Sequence, residues 1–314
     1  MAPEKPEPEG RIGNQNRDPL PRLGLILLFL ITLGWGTAWP AMKIVLNEMS
    51  PWTFRALTVP VSAVLLMGLC RLSRISLSVP HGKWKALIVV SLINVGGWQL
   101  FSALGLNELS SGRAVLVAYT MPVFASLSGA LILGETLTNR IIGALLLGTV
   151  GVGALIWGNF GTLGASPLGV IYMLAAAFTW GLGIALLKKV DWRMPTLALA
   201  SWQLLIAGVP IVAAGWLLDE IAFAPLSVLA ANMLVYVVLV PICFCTYAFF
   251  KIVSLFPANV SAIGTLMIPV LGVISGSLVL DEPIGLREGT ALVLIGASLA
   301  LVLFRPAAPR ENTQ

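Results

Sequence analysis

Ten long runs of apolar residues divide this chain of 314 residues and limit what it can fold into more than any other feature. Each run is about 20 residues long, the length that a helix needs to cross roughly 30 Å of hydrocarbon. The runs cover about residues 23–46, 51–70, 85–106, 112–133, 138–157, 167–188, 196–217, 228–250, 257–280 and 287–304. Membrane-spanning β-barrels are built instead from short segments of alternating hydrophobicity. The sequence therefore predicts an all-α integral membrane protein with ten transmembrane helices.

The composition supports the same class of protein. Hydrophobic residues make up 58% of the chain and charged residues 11%, whereas soluble domains carry roughly 25% charged residues. A mean hydropathy of +0.93 excludes a surface that faces water throughout. The net charge of +5 does not indicate a nucleic-acid site, because Lys and Arg in membrane proteins mark cytoplasmic loops. The expected partners are the lipid bilayer and a small-molecule substrate, with no nucleic acid.

The distribution of Lys and Arg predicts the orientation in the membrane. Residues 1–22 are rich in Pro, Glu, Arg and Asn and are expected to form a disordered cytoplasmic tail. Residues 305–314 are expected to form a second cytoplasmic tail. With the N-terminus inside, 15 of the 19 Lys and Arg residues fall on the cytoplasmic side. This bias predicts a multi-pass protein of the bacterial inner membrane with both termini in the cytoplasm.

The two halves of the chain share matching motifs. Trp35-Gly36 matches Trp180-Gly181 at an offset of 145 residues, and Lys43 matches Lys188 at the same offset. At an offset of 147 residues the matches are Met121-Pro122-Val123 with Ile268-Pro269-Val270, and Gly134-Glu135 with Asp281-Glu282. Agreement over several helices and a loop indicates an internal repeat.

Each copy of the repeat holds five predicted spans, so the second copy enters the membrane from the opposite side. The copies, residues 23–157 and 167–304, are therefore predicted to be inverted repeats around a central cavity. Exchange of conformations between the copies would open the cavity to one side or the other, which is alternating access. This organisation favours a carrier over a channel, for which a rotational repeat around a pore is expected.

These motifs resemble the drug/metabolite transporter superfamily. The Trp35-Gly36 block with its copy at Trp180-Gly181, the two prolines and the Gly134-Glu135 turn are similar to the ten-helix branch with two EamA domains. The resemblance covers about residues 23–304 and implies a ten-helix bundle that exports amino acids and small metabolites. The aromatic amino-acid exporters of this family are the candidate for a nearer match. The second half departs from the pattern, because Asp281-Glu282 replaces the usual Gly-Glu.

Polar and aromatic side chains near the middle of a span are costly unless they face a cavity or a partner helix. The candidates for substrate binding are Trp35, Thr37, Asn94, Trp98, Gln99, Tyr119, Trp180, Gln203 and Tyr247. Asn94, Trp98 and Gln99 are spaced to share one broad helix face, which would offer amides and an aromatic surface to a zwitterionic or aromatic solute. The alternatives are hydrogen bonds between helices for Asn and Gln and interfacial anchoring for Trp.

Two basic residues near the predicted outer ends of spans, Lys43 and Arg55, are candidates for attracting a substrate carboxylate. Snorkelling to the membrane interface is the alternative for both. Pro122 and Pro269 are candidate hinges, because proline removes a backbone hydrogen bond from a helix. Static kinks are the alternative for this pair.

Glu135 and Glu282 are expected to cap the tight turns after the fourth and ninth helices, where they would not touch substrate. Glycine pairs such as Gly272 and Gly276 allow close helix packing, within one chain or between two. The sequence leaves both a monomer and a homodimer open.

No Asp or Glu lies in the middle of a predicted span. Because proton-coupled carriers usually need a titratable group along the pathway, a facilitator or exchanger is favoured. A proton-coupled antiporter of drugs or other metabolites is the alternative. The single histidine, His81, and the three cysteines show no metal-ligand spacing. With no nucleophile motif either, we expect no metal, no cofactor and no enzymatic activity, so an intramembrane enzyme is disfavoured.

Overall fold

The structure, a computed structural model, describes residues 22–136, 139–156, 166–218, 221–249 and 267–303. The predicted terminal tails lie almost wholly outside these residues. Within them the regular elements are helices: α1 (Arg22–Leu46), α2 (Pro51–Leu72), α3 (Trp84–Glu108), α4 (Ser111–Leu133), α5 (Asn139–Ile156), α6 (Pro167–Lys189), α7 (Thr196–Leu217), α8 (Val228–Phe249), α9 (Met267–Leu280) and α10 (Leu286–Leu303).

Seven of these helices, α1 to α4 and α6 to α8, are long and apolar enough to cross a membrane. The described part of α9, Met267–Leu280, is a shorter apolar helix. The predicted ninth span, residues 257–280, begins before the described residues. The membrane character of the chain is confirmed by these helices. The count of ten spans stays a prediction.

Serine caps and prolines set the start of several helices. Ser50 accepts a hydrogen bond from the Thr53 amide at 3.1 Å, directly before the proline that opens α2. Ser166 precedes the proline of α6 in the same way and accepts from the Gly169 amide at 3.2 Å. Serine satisfies an amide that the first helical turn leaves unbonded, and proline has no amide to satisfy. The serine-proline pairs therefore position these two helices from local sequence alone.

The most extensive helix contacts in the described part of the chain all join the first half to the second half. α2 packs along α7, α5 along α10, α1 along α9, and both α3 and α4 along α6. The helices of the two halves therefore alternate in the bundle, so that any cavity between these helices would be lined by both halves.

Glycines bring α1 and α6 close to their partner helices. A Cβ atom on Gly36 of α1 would lie 2.7 Å from the Cβ of Leu271 in α9. A Cβ atom on Gly181 of α6 would lie 2.7 Å from the Cβ of Phe124 in α4. The glycines are 145 residues apart and their partners 147 apart, which are the two offsets of the sequence repeat.

Two helices contain a π-helical segment, in which backbone hydrogen bonds span five residues instead of four. The segment is Leu92–Gly97 in α3 and Val238–Phe244 in α8, and the two begin 146 positions apart. Pro241 lies inside the second segment. Such segments are rare in proteins, and those that occur often lie at functional sites. Neither was predicted from the sequence.

Candidate functional site

Three indole rings meet where α1, α3 and α6 come together. The rings of Trp39 and Trp98 lie edge to face with centroids 6.5 Å apart, and the centroids of Trp98 and Trp180 are 5.2 Å apart. We call these three residues the indole cluster. Each lies at least seven residues from either end of its helix, which argues against anchoring at the membrane interface. The cluster combines two rings from the first half with one from the second.

Trp35 and Thr37 make a different set of contacts, to α8. The Trp35 Nε1 donates to the backbone oxygen of Pro241 at 3.0 Å, so this indole rests on the π-helical segment of α8. The Thr37 hydroxyl lies 2.6 Å from the Tyr236 hydroxyl. The repeat-related tryptophans Trp35 and Trp180 are thus used differently, since Trp180 is in the indole cluster and Trp35 contacts α8.

Two residues of the predicted face of Asn94, Trp98 and Gln99 lie against the same residue, Trp180 of α6. Asn94 is 3% exposed, donates from Nδ2 to the Trp180 backbone oxygen at 3.1 Å and packs on Gly183 of α6. This is the bond between helices that was the alternative for asparagine. Gln99 is buried, and Trp98 belongs to the indole cluster. The π-helical segment Leu92–Gly97 alters the regular helical spacing between Asn94 and Gln99, and the role of this face in substrate binding stays a proposal.

The remaining candidates for substrate binding are spread over three helices. Tyr119 is 7% exposed and lies at the turn between two helical stretches of α4. Gln203 of α7 is also buried, and its Nε2 has no hydrogen-bond partner in the part of the chain that the structure describes. Tyr247 of α8 is 45% exposed. Their role in substrate binding stays a proposal.

Arg55 is buried among α1, α2 and α3. Its Nε donates to the Gln99 backbone oxygen at 2.6 Å and its Nη2 to the Ser102 hydroxyl at 3.0 Å. The same Nη2 lies 3.8 Å from the Met42 sulfur. The residue is 2% exposed, so its side chain does not snorkel to the interface in this structure.

Lys43 contacts the last carbonyls of α3. Its Nζ donates to the backbone oxygens of Leu106 and Asn107, each at 2.8 Å. A cation at the C-terminus of a helix satisfies free carbonyls and complements the helix dipole. Two of the three ammonium protons of Lys43 are therefore used within the protein.

Glu282 corrects one interpretation of the sequence, because in this structure it caps α4 and not the turn that follows α9. Its carboxylate accepts from the Ser111 amide at 2.6 Å, the Ser111 hydroxyl at 2.9 Å and the Gly112 amide at 2.9 Å. The first amides of a helix have no partner within the helix. The end of α9 and the start of α4 lie side by side, so the carboxylate of one reaches the free amides of the other. Glu135 lies 3.9 Å from Lys188, in an exposed pair.

Two more carboxylates join the halves at the same end of the bundle. Glu288 of α10 pairs with Arg113 of α4 at 2.7 Å, and both side chains are largely buried. Glu48 accepts from the amide and hydroxyl of Ser227 at 2.7 and 2.6 Å. These hydrogen bonds lower the pKa of the exposed Glu48 carboxyl. We call the contacts of Glu48, Glu282 and Glu288 the outer-end contacts, because the charge distribution predicts that this end faces outward.

The candidate hinges differ in what the structure describes around them. Pro122 is the second residue of the second stretch of α4, which begins at Met121 after the turn at Tyr119 and Thr120. Pro269 is the third residue of α9, and the residues before Met267 are not among those described. The break in α4 gives Pro122 the geometry of a hinge, and its movement stays a proposal.

The sequence analysis predicted neither a role for Trp39 nor the two π-helical segments. Trp39 lies four residues after Trp35, a spacing that places both on one side of α1, so it could have been found by extending the search along that face. Gly96-Gly97 and Pro241 in the π-helical segments indicate an irregular helix, but they do not distinguish a kink from a π-helical segment.

Comparison with known proteins gives one family and several relatives. The EamA-like transporter family matches residues 22–157 and again residues 167–304. The uncharacterized transporter YvbV of Bacillus subtilis is 28% identical over 286 residues, which cover 90% of this chain and 92% of the relative. A probable amino-acid metabolite efflux pump of Escherichia coli is 25% identical, over 89% of this chain and 94% of the relative. A solved crystal structure with a TM-score of 0.64 and 21% identity covers 88% of this chain and 95% of that one, and shares the fold.

Proposed function

The chain belongs to the EamA-like transporter family, and from this premise we propose that it exports amino acids or related small metabolites by alternating access. It acts as a facilitator or exchanger in the bacterial cytoplasmic membrane, with both termini in the cytoplasm. The observation that carries the proposal is the indole cluster. It lies in mid-helix and is shared between the halves of the chain, so a relative movement of the halves would change it.

Packing between the halves supports an inverted repeat of residues 23–157 and 167–304. Gly36 packs on Leu271, and its counterpart Gly181 packs on Phe124, the counterpart of Leu271. The π-helical segments of α3 and α8 form another pair, whose separation of 146 positions lies between the two repeat offsets. Trp35 contacts the segment in α8, and Trp180 contacts α3 next to the other segment. Each tryptophan-glycine helix thus contacts the segment in the opposite half.

The chemistry of the cluster favours substrates with an apolar or aromatic side chain. Indole rings give large contact areas and edge-to-face partners for aromatic groups. The Escherichia coli relative is a probable amino-acid metabolite efflux pump, which supports amino acids or their metabolites as the substrate class. Trp35, Thr37, Asn94, Gln99, Tyr119, Gln203 and Tyr247 are proposed to line or support the pathway around the cluster.

The absence of coupling carboxylates at mid-helix supports facilitated transport. In the described helices the acidic residues are Glu108, the last residue of α3, and Glu288, in the first turn of α10. A proton that moved with each substrate would need a titratable group along the pathway. We therefore expect transport to follow the substrate gradient and to need no pH gradient.

Uptake of labelled amino acids into proteoliposomes tests the proposed function. We expect uptake of at least one aromatic or aliphatic amino acid, equal with and without a pH gradient. Trp180→Ala should lower the rate tenfold or more, because aromatic contacts in such sites are worth about 1 kcal/mol each beyond their buried area. Trp216→Ala is the matched control, since Trp216 is 60% exposed and lies one residue from the end of α7.

Three results would count against the proposal. Uptake of no amino acid in the panel would remove the substrate class. Strict dependence on the pH gradient would replace the facilitator with a proton-coupled antiporter. Equal loss of rate in Trp180→Ala and Trp216→Ala, at equal expression, would remove the indole cluster from the pathway.

A further inference from the structure

We infer that Arg55 is the carboxylate-binding group of the transport site, so that the substrates are monocarboxylates with an apolar or aromatic portion. The inference rests on the proposed function and deepens it, because it assigns one end of the substrate to one side chain. It is carried by the contacts of Arg55, by its burial and by its position beside the indole cluster.

The guanidinium of Arg55 is buried without an acidic partner. Its contacts are neutral: a backbone oxygen, a hydroxyl, a thioether and the ring of Phe54, whose centroid lies 4.6 Å from Cζ. None of the ion pairs formed by the described residues includes it. Arg113 of the same protein shows the usual arrangement, since it pairs with Glu288 at 2.7 Å. Charges that are removed from water are normally paired, so Arg55 lacks the anion that its environment calls for.

The contacts of Arg55 leave part of its hydrogen-bonding capacity unused. A guanidinium carries five N–H donors in a planar fork, and its observed hydrogen bonds use Nε and Nη2. Nη1 has no hydrogen-bond partner among the described residues. Nη1 can donate to one oxygen of a carboxylate, and a second, parallel bond from Nη2 would replace its contact with the Met42 sulfur.

The position of Arg55 relative to the indole cluster fits a substrate with two ends. Met42 lies three residues after Trp39 in α1, and Ser102 lies four residues after Trp98 in α3. Arg55 contacts Met42 and Ser102, so its guanidinium lies about one helical turn, roughly 5 Å, beyond the Trp39–Trp98 pair. A carboxylate at Arg55 would place an adjacent apolar group against the indoles.

A purely structural role for Arg55 predicts a different outcome. If the guanidinium served to hold α2 against α3, its removal would weaken the fold and would affect all ligands alike. If it binds a carboxylate, its removal affects ligands with a carboxylate and spares neutral analogues of the same shape. The comparison of a carboxylate with its amide separates the two roles.

Binding of phenylacetate and phenylacetamide to the purified full-length chain, measured by calorimetry in detergent, tests the inference. We expect the wild type to bind phenylacetate at least tenfold more tightly than phenylacetamide, and Arg55→Gln to reduce this ratio to about one. Arg55→Lys keeps the charge without the fork and should give an intermediate ratio. Arg113→Gln is the control, because it removes another largely buried arginine, at the outer end of the bundle, and should leave the ratio unchanged.

The inference is overturned if folded Arg55→Gln keeps the wild-type ratio, or if the wild type does not distinguish the two compounds. Should Arg55→Gln fail to fold, the ratio in Arg55→Lys decides, and a wild-type value there overturns the inference. Uptake of amino acids and of their amides at equal rates would retain the transporter and reject the carboxylate site. Failure to transport any amino acid would instead contradict the proposed function.

Discussion

Gly134 and Asp281 hold the same backbone conformation at the ends of α4 and α9. Gly134 has φ of 71° and Asp281 has φ of 53°, both in the left-handed region. Glycine reaches this region without strain. A residue with a Cβ atom is destabilised there by steric contact with the backbone, and Asn and Asp tolerate the region better than other such residues. The two residues occupy equivalent places in the sequence repeat, so the second copy keeps the conformation after losing the glycine.

Substitutions at these two positions should change stability in opposite directions. Gly134→Ala should lower the free energy of unfolding by about 1–2 kcal/mol, because alanine would be forced into the left-handed region. Asp281→Gly should raise it by up to about 1 kcal/mol for the opposite reason. Gly296→Ala in α10 is the control, since a Cβ there meets nothing within 4 Å. Thermal unfolding in detergent measures all three, and a loss of stability in Asp281→Gly would contradict this account.

Helix positions followed well from the sequence, and irregularities within the helices did not. The apolar run at residues 196–217 is the helix Thr196–Leu217, because length and hydropathy define a span without reference to its neighbours. The π-helical segments Leu92–Gly97 and Val238–Phe244 depend on how α3 and α8 fit against other helices. Local sequence carries no record of that fit, so it did not decide between the cavity and the bond between helices for Asn94.

Close packing between helices makes Gly181 intolerant of a side chain. A Cβ at Gly181 would lie 2.5 Å from the backbone nitrogen of Ala125 in α4, and backbone cannot move aside as a flexible side chain can. We expect Gly181→Ala to cost at least 1–3 kcal/mol of stability, the usual range for overpacking. The control is Gly68→Ala in α2, where a Cβ meets nothing within 4 Å. Equal unfolding temperatures for the two variants would reject the packing of α6 on α4.

At the scale of the whole molecule, the outer-end contacts tie the halves together at one end of the bundle. Glu282 and Ser111 are 171 residues apart, and each looks like an ordinary loop residue in the sequence. Their meeting depends on α9 reaching the start of α4, which no local pattern reports. At the opposite end, the described acidic residue that pairs across the halves is Glu135, in an exposed contact of 3.9 Å with Lys188.

Removal of the Glu282 carboxylate should loosen the start of α4. In Glu282→Ala the amides of Ser111 and Gly112 lose their acceptor, and an unmade charge-assisted hydrogen bond costs about 1.5–3 kcal/mol. Hydrogen exchange of the peptide that covers residues 110–118 should therefore speed up by on the order of tenfold or more. Glu135→Ala, which alters the equivalent position of the repeat, should leave this peptide unchanged. Unaltered exchange in Glu282→Ala would show that the carboxylate does not hold α4.

The interleaving of the two halves has a consequence for biosynthesis. When the first five helices have left the ribosome, the main packing partners of α1, α2 and α5 have not yet been made, since they are α9, α7 and α10. Until the second half is inserted, the faces of α1, α2 and α5 that will contact it must be covered by lipid. Arg55 is an exception, because Met42, Gln99 and Ser102 all belong to the first half. Arg55, the buried guanidinium in the described part of the chain, can therefore form its observed hydrogen bonds during synthesis, before the second half is inserted.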